Sequence, residues 1–356
     1  MILFKIEIGI HTYSVGMTLT AKQYYKIKDK LGSFLRLIDA DYWAGTERYR
    51  VDALEEQGVK LYLSHFNKLY LLRVRLEPCR ALGEDDPAAL YRPTKKSYRK
   101  LVKKVDQLLR DYGIPKSIDE MKICREDITC DLYFTDGRFL VEWIRMIQKG
   151  AELPHYRRVY FREKDKKVKN AKTANHHSCR QQCKSAAFFA YDKTAQLQMI
   201  DRFPDHLSGS HILRLEAELK REALKKQVGK QADNYHYLKA GAEKAKTVIE
   251  WYLKRLFHRA KGTHLRYQDA VRLVRKNVTK HKTQERLLYL LRKVSDSQSL
   301  DAALRKTREH FGLSAGQCSR LLTKLDELGI HPVTLPNQSP CEVLPPLIDI
   351  LREKEQ

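Results

Sequence analysis

Polar and apolar side chains alternate along residues 212–219. The apolar positions are occupied by Leu213, Leu215, Ala217 and Leu219. The positions between them carry Arg214, Glu216 and Glu218. A period of two is that of a β-strand, in which successive side chains point to opposite faces of the sheet. The pattern therefore predicts a strand with one buried face and one polar face, on which the arginine and the two glutamates lie side by side.

Two further stretches carry polar residues that would share this face. Residues 123–134 alternate so that one face holds Arg125, Asp127, Thr129, Asp131 and Tyr133. An apolar strand also leads to Tyr191, and Lys193 follows two positions later. A hairpin would place Tyr191 and Lys193 beside Arg214. Either aspartate of residues 123–134 would then be able to meet Glu216 across the sheet.

The same use of periodicity predicts the remaining elements. Strands are expected at residues 1–12, 42–51, 59–66 and 69–76, and helices at 20–35, 93–112 and 139–148. The signal after residue 219 is helical, with helices at 238–260, 267–278, 284–294 and 300–311. The order strand, helix, several strands, helix occurs twice. We therefore predict an α+β fold: a pseudo-duplicated antiparallel sheet with flanking helices, in two halves at 1–118 and 119–235, and an all-α C-terminal domain at 236–356.

The helical region contains a turn with helix-turn-helix spacing. Gly312 and Ser314 lie between two predicted helices, and serine is a favoured N-cap residue. The second helix would expose Gln317, Arg320 and Lys324. In helix-turn-helix proteins such a helix enters the major groove of DNA. An ordinary helical hairpin gives the same pattern, so both interpretations stay open.

The charge balance indicates the kind of partner. The chain of 356 residues has 68 Lys and Arg against 44 Asp and Glu, a formal net charge of +24. An excess of this size is typical of proteins that bind a polyanion, nucleic acid first and an anionic membrane second. Hydrophobic residues make up 42% of the chain, which is enough for folded cores. We therefore predict a folded DNA-binding protein.

Part of this charge is concentrated in residues 156–172, which resemble a hairpin with a basic tip. The basic residues of this run are Arg157, Arg158, Arg162, Lys164, Lys166, Lys167, Lys169 and Lys172. Because the run borders the proposed site, we predict that it contacts DNA phosphates. The alternative is a solvated loop, which is the commoner fate of a charge run.

The sequence offers no membrane segment. No apolar run is long enough to span a bilayer, and the N-terminal apolar run contains Lys5 and Glu7, unlike a secretory signal. The seven cysteines are an odd number and are scattered, as in proteins of a reducing compartment. We expect a cytoplasmic protein with no membrane partner.

The shared polar face combines a tyrosine, a lysine and several carboxylates. A phenol has a pKa near ~10 and needs a base, a cation or a metal to act as a nucleophile at neutral pH. Carboxylate oxygens are the ligands that Mg²⁺ and Mn²⁺ prefer. The set is that of a metal-assisted phosphoryl transfer with a tyrosine nucleophile. A Tyr-Asp-Lys tripeptide at the edge of a strand is also common on ordinary solvated surfaces.

The ordered set of residues resembles the replication initiation factor families of rolling-circle plasmids, filamentous phages and related integrative elements. The motifs are Arg125-Glu-Asp127 with Asp131, then Phe189-Ala-Tyr191-Asp-Lys193-Thr, then Leu213-Arg214-Leu-Glu216. The segment Ile330-His-Pro-Val-Thr-Leu-Pro336 is similar to the end of phage-type members. The resemblance covers residues 1–240 and extends loosely into the helical region.

The resemblance implies a site-specific DNA endonuclease that transfers strands. Tyr191 would attack a phosphodiester and keep the 5′ phosphate as a phosphotyrosine, while Lys193 and Arg214 would steady the scissile phosphate. Asp127 and Glu216 would hold Mg²⁺ or Mn²⁺, with Asp131 and Glu218 as further ligands. Many rolling-circle nucleases use a His-hydrophobic-His triplet for this purpose. None occurs here in a convincing strand, so the expectation depends on carboxylates.

Several functional alternatives remain at this stage. A mobilisation relaxase has the same chemistry at a transfer origin, and a non-enzymatic DNA-binding regulator would use only the basic surface and the helix around Arg320. RNA recognition has no signature in the sequence. The resemblance implies origin DNA, as a hairpin or single strand, as the partner, together with a helicase of the host or the element. A homodimer is a further possibility.

Overall fold

The alternating stretches form strands of one large sheet. The computed structural model describes residues 3–41, 46–159, 177–297 and 299–352. The strands of the sheet are β1 (Leu3–Leu19), β2 (Leu35–Asp41), β3 (Thr46–Val51), β4 (Val59–Phe66), β5 (Leu69–Leu76), β6 (Lys122–Phe134), β7 (Arg157–Val159), β8 (Ser178–Gln182), β9 (Ala186–Asp192) and β10 (His211–Lys220). The predicted strands at 59–66 and 69–76 have the bounds of β4 and β5.

The sheet is antiparallel and pseudo-symmetric. Within the described residues its order is β2-β3-β4-β5-β1-β6-β10-β9-β8-β7. In each half the first strand lies at the centre and pairs with the last strand of the same half, β1 with β5 and β6 with β10. The two halves join where β1 pairs with β6. The predicted duplicated antiparallel sheet is therefore confirmed.

Helices follow the strands in both halves and then continue alone. The helices are α1 (Ala21–Leu31), α2 (Pro78–Leu82), α3 (Lys95–Asp111), α4 (Gly137–Lys149), α5 (Lys193–Met199), α6 (Arg221–Val228), α7 (Asn234–Glu243), α8 (Ala245–Leu256), α9 (Tyr267–Asn277), α10 (His281–Asp296), α11 (Leu300–Phe311), α12 (Ala315–Glu327) and α13 (Leu347–Arg352). The fold is α+β with a helical C-terminal region, as predicted. That region is not all-α, because β11 (His264–Leu265) pairs with β12 (Val343–Leu344).

Some predicted boundaries were wrong, for local reasons. α1 begins after a capping box of Thr20 and Gln23 and ends at Leu31, because Gly32 has a φ of 41°. Leu35, predicted as helical, begins β2. The long helix predicted at 238–260 is two helices that meet at Lys244. Residues 42–45 of the predicted strand 42–51 lie outside the described residues.

The apolar face of the sheet is buried under helices. Trp143 of α4 has no exposed surface, and the ring of Phe188 on β9 stacks on Tyr252 of α8 at 5.0 Å. The backbone N–H of Ala151 donates to the carbonyl of Leu256 over 2.6 Å. The helices after residue 235 thus continue the helical layer over the sheet. The opposite face of the sheet carries the polar side chains. In the part of the chain that the structure describes, no helix has the length and hydrophobicity needed to cross a membrane.

Candidate active site

The register of the sheet gathers the predicted polar residues. Arg214 of β10 stands opposite Asp131 of β6 on one side and opposite Tyr191 of β9 on the other. Glu218 stands opposite Asp127 in the same way. Glu216 lies between Arg214 and Glu218 along β10. The hairpin that was predicted to bring Tyr191 beside Arg214 is present. The sheet therefore holds an acid, an arginine and a tyrosine in one row across three strands.

Arg214 and Asp131 form an ion pair with no solvent exposure on either side chain. The Arg214 Nε and Nη2 atoms donate to the two carboxylate oxygens over 2.8 and 2.6 Å. Nη2 also donates to the carbonyl of Ala88 over 2.8 Å. Burial disfavours the charge, but Asp131, Tyr191 and Glu216 together outweigh it, so the pKa of Arg214 is raised. The remaining Nη1 is buried and has no hydrogen-bond partner among the described residues.

Tyr191 is half-buried beside this pair. Burial, helped by the negative charge of Glu216, raises the pKa of the Tyr191 phenol well above its ordinary value, and Arg214 acts in the opposite direction. The phenol is therefore neutral at physiological pH. A reaction that uses Tyr191 as a nucleophile must supply a proton acceptor.

Lys193 lies at the start of α5, not on the strand that the sequence suggested. Asp192 is the N-cap of this helix and accepts from the backbone N–H of Ala195 over 2.8 Å. Lys193 is 5% exposed, and its Nζ donates to Oε1 of Gln196 over 3.1 Å. Burial and then the charge of Arg214 lower the pKa of Lys193 to about 8. The ammonium group is thus a cation at neutral pH that loses its charge in mildly alkaline solution.

The structure adds His11, which the sequence analysis missed. Ile10 pairs with Ile128 and Tyr13 with Glu126, so His11 and Thr12 together oppose the single residue Asp127. This β-bulge turns both side chains towards the polar face. His11 Nδ1 lies 3.0 Å from Oε2 of Glu216, and Thr12 donates to Asp127.

His11 is held as a neutral imidazole. Burial, and then the positive charges of Arg214 and Lys193, lower its pKa well below the ordinary value. A neutral ring that donates Nδ1–H to a carboxylate keeps Nε2 as a proton acceptor. The sequence would have predicted this contact only if the pairing of β1 with β6 had been predicted first.

Three of the four predicted metal ligands have arginine partners. Arg125 donates to both oxygens of Asp127 over 2.6 and 2.5 Å and lies 3.2 Å from Glu218, while Asp131 is occupied by Arg214. Among the described residues no group of three or more His, Cys, Asp or Glu is arranged to hold a metal ion. Glu216 and His11 offer two donors, fewer than a resident ion requires. Binding of Mg²⁺ or Mn²⁺ stays a prediction for the complex with DNA, where phosphate oxygens add donors.

The polar face is not open to solvent in the way the alternation suggested. Asp127 and Asp131 have no exposed surface, and Glu216 is 7% exposed. One end of the face is covered because Ile212 and Tyr133 pack with Ala88, Leu197 and Leu207 in a small second core. A cleft of about 840 Å³ remains beside this cover, and its walls include His11, Lys193 and Gln196. Its volume is that of a typical small-ligand site.

The residues predicted to contact DNA lie in different places. Arg157 is exposed on β7, whereas Arg158 donates to the carbonyls of Gln148 and Gly150, both over 2.5 Å, at the end of α4. Arg162, Lys164, Lys166, Lys167, Lys169 and Lys172 lie outside the described residues.

The second helix of the predicted helix-turn-helix is α12. Gln317 closes the capping box by accepting from the backbone N–H of Ser314 over 2.7 Å. Arg320 is exposed, and Lys324 pairs with Glu327 over 2.7 Å. DNA binding through this helix stays a prediction.

Comparison with known proteins adds no identification. The chain matches no model of a known protein family, and a search of curated proteins finds no significant match.

Proposed function

We propose that the chain is a site-specific endonuclease and strand transferase for single-stranded DNA, which starts rolling-circle replication of a plasmid, phage or other mobile element. The observation that carries the proposal is the row of Asp131, Arg214 and Tyr191 across three strands, in which Nη1 of Arg214 is buried and has no acceptor among the residues that the structure describes. A guanidinium held in this way beside a phenol is suited to a phosphate that the phenol attacks. The formal charge of +24 supports a nucleic-acid substrate.

The residues divide the chemistry between them. The Tyr191 oxygen bonds to the phosphorus as the bond from phosphorus to the 3′ oxygen breaks, so that the 5′ phosphate stays on the protein. The 3′ oxygen leaves with the electron pair of the broken bond and takes a proton from solvent to become a 3′ hydroxyl. The phenol proton passes to the carboxylate of Glu216. His11 holds this carboxylate in position, because its Nδ1 lies 3.0 Å from Oε2 of Glu216. Arg214 and protonated Lys193 offset the charge on the phosphate. The ester conserves the energy of the broken bond, so a 3′ hydroxyl can later reverse the step and join strands.

The cellular context follows from this chemistry. We propose that the protein acts in the cytoplasm, because its substrate would be replicating DNA. A helicase is needed to extend the single strand from the nick. A mobilisation relaxase would leave the same covalent product, and a homodimer would supply a second nucleophile.

The covalent product is the first test. The protein is incubated with Mg²⁺ or Mn²⁺ and labelled single strands that tile the DNA flanking its gene, and the adduct is mapped by peptide mass. We expect one adduct, on the peptide that contains Tyr191. The Tyr191→Phe protein should bind the same strand normally and form no adduct.

A second tyrosine provides the control. The hydroxyl of Tyr156 lies 3.1 Å from that of Tyr252, away from Arg214. Tyr156→Phe should therefore form the adduct as the unaltered protein does. An adduct that persists in Tyr191→Phe, or its absence from the unaltered protein on every strand, would contradict the proposal. A regulator that only binds DNA gives the second result.

Metal dependence is tested in the same assay. With EDTA present, we expect binding of the strand to persist and adduct formation to stop, and addition of Mg²⁺ or Mn²⁺ to restore it. Glu216→Gln should bind DNA and lose most of the adduct, because the proposal makes this carboxylate both the proton acceptor and a ligand of the ion. Full activity in EDTA would remove the metal from the proposal.

A further inference from the structure

The pseudo-symmetry of the sheet places a second tyrosine–arginine pair in the first half. Strands β4 and β5 correspond to β9 and β10, since each pair adjoins the central strand of its half. Tyr62 stands opposite Arg73 on β4 and β5, as Tyr191 stands opposite Arg214. The residue beyond Arg73 on the central strand is Gly16, whereas the residue beyond Arg214 is Asp131. The first half thus has the tyrosine and the arginine, but it has a glycine where the second half has the carboxylate of Asp131.

The pair belongs to a row of basic residues across the polar face. The row, named here the basic row, consists of Arg36, Arg50, Tyr62, Arg73, Gly16 and Lys122, each opposite the next on adjacent strands. It crosses six strands from β2 to β6, a length of roughly 24 Å at the usual strand spacing. A single strand of nucleic acid bound along it would place several phosphates against cations.

Two arginines of this surface are not neutralised. Arg73 is exposed, and neither Arg73 nor Arg48 forms an ion pair with a carboxylate that the structure describes. The Arg48 guanidinium lies over the Tyr62 ring, 4.9 Å from its centre. By contrast, Arg36 and Arg50 share Asp52. Arg48 and Arg73 therefore place positive charge beside the half-buried Tyr62 ring, one face of which lies towards the Arg48 guanidinium.

The chemistry of the surface selects its occupant. Cations that follow a backbone, together with an aromatic ring on which a base stacks, are the features of sites that bind single-stranded nucleic acid without sequence preference. A duplex would not present an unstacked base to Tyr62. Bases of a single strand are free to do so.

We propose that the basic row binds single-stranded DNA as a second site that does not cleave, with phosphates along the arginines and a base stacked on Tyr62. The choice of DNA rests on the proposed function, whereas the site itself rests on the row. Tyr62 has no counterpart of Asp131 or Lys193 to prepare a phosphate for attack, so it binds and does not cut.

The test measures binding in the Tyr191→Phe background, where no cleavage occurs. The probe is a fluorescent oligothymidine of about 20 nucleotides, followed by anisotropy at several salt concentrations. Arg48→Glu with Arg73→Glu should weaken binding by about tenfold or more and reduce the slope of log affinity against log salt by about 1.4, the loss of two phosphate contacts on a single strand. Tyr62→Ala should weaken binding about tenfold, and Tyr62→Phe should retain it.

A matched charge reversal supplies the control. Lys22 and Lys26 are exposed on α1, whose Tyr24 packs on Tyr70 on the apolar face of the sheet. Lys22→Glu with Lys26→Glu changes the net charge equally, but on the opposite face of the sheet from the basic row. This variant should bind within about twofold of the parent. Circular dichroism of each variant shows that it is folded.

Three results would overturn the inference. The first is that the Arg48→Glu, Arg73→Glu protein and the Tyr62→Ala protein both bind within twofold of the parent. The second is that the α1 control loses as much affinity as the arginine variant does. The third is that oligothymidine, oligouridine and a duplex of the same length bind equally well. The arginine variants with Tyr191 intact should still form the covalent adduct at saturating DNA. Loss of binding in the arginine and Tyr62 variants, together with no adduct from the unaltered protein that has Tyr191, would refute the endonuclease and leave the second site standing.

Discussion

Arg214 is a charged side chain held without solvent contact at the centre of the candidate site. Removing a guanidinium and a carboxylate from water costs several kcal/mol for each ion, and the pairing recovers this only with good geometry. Asp131 supplies that geometry with two hydrogen bonds, and Ala88 supplies a third. The fold therefore holds the arginine in one position, which would suit its proposed role of stabilising a phosphate transition state.

Removal of Asp131 should be costly to the fold. Asp131→Ala leaves Arg214 buried and unpaired, so we expect a loss of about 3–5 kcal/mol in the free energy of unfolding. Arg214→Met with Asp131→Ala should recover much of this loss, since neither charge remains. Urea unfolding of the unaltered protein, the single variant and the double variant measures these free energies. Glu327→Ala, which breaks the exposed pair with Lys324, should cost less than about 1 kcal/mol.

Lys193 would give the proposed reaction a dependence on pH. Its pKa of about 8 means that the ammonium form, which would offset phosphate charge in that reaction, is present below pH 8 and is lost above it. We expect single-turnover nicking by the unaltered protein to fall as pH rises through about 8. Lys193→Arg keeps a cation throughout, so its rate should not fall there. A rate that instead rises through pH 8, with an inactive Lys193→Arg, would make Lys193 a proton acceptor.

The bulge in β1 shows how one irregular element shapes the site. Two residues, His11 and Thr12, occupy the space opposite Asp127, and both therefore reach the polar face. A regular strand would turn one of them towards the helices.

On the other face of β6, Glu126 is buried against α7, where Gly241 leaves room for it.

The packing of α7 on β6 gives a test of that close approach. A Cβ at position 241 would overlap the Glu126 carboxylate and lie 2.7 Å from its Cδ. Gly241→Ala should therefore destabilise the protein by about 1–3 kcal/mol, despite the better helix propensity of alanine. Gly316→Ala on α12 meets no neighbouring atom within 4 Å and should stabilise by up to about 1 kcal/mol. Equal effects of the two substitutions on thermal unfolding would contradict this account.

The whole molecule combines a duplicated sheet, a continuous helical layer and a large positive charge. The duplication gives the polar face of the sheet two similar halves, but the four carboxylates of the candidate site all lie on β6 and β10 in the second half, to which β1 adds His11 and Thr12. The first half keeps the arginines without that set of acids. A surface of this kind suits a polymer that extends beyond the reacting phosphate.

Such a surface should make DNA binding strongly dependent on salt. Each phosphate that a lysine or arginine neutralises releases counterions and contributes about 0.7 to the slope of log affinity against log salt for a single strand. For the Tyr191→Phe protein we expect affinity for single-stranded DNA to fall at least a hundredfold between about 50 and 200 mM salt, which corresponds to five or more contacts. Affinity that is flat over this range would argue against a nucleic-acid partner.

Local patterns were sufficient for the strands that carry the site. The period of two along residues 123–134 and 212–219 is a property of the backbone, so it identified β6 and β10 and the residues that share a face. The same period identified β4 and β5, and the helical period of 3.6 identified α11. Turn residues between β9 and β10 also indicated the hairpin that brings Tyr191 to Arg214.

Contacts between distant segments depended on the tertiary structure. His11 meets Glu216 across 205 positions of the chain, because β6 pairs with β1 on one side and with β10 on the other, and because the bulge in β1 turns His11 towards the polar face. The covering of the polar face by Ala88 and α5, which buries Asp131 and lowers the pKa of Lys193, is likewise absent from any local pattern. Side-chain alternation specifies which way a residue points within its strand. Which strand lies beside it, and what covers it, are decided by the packing of the whole chain.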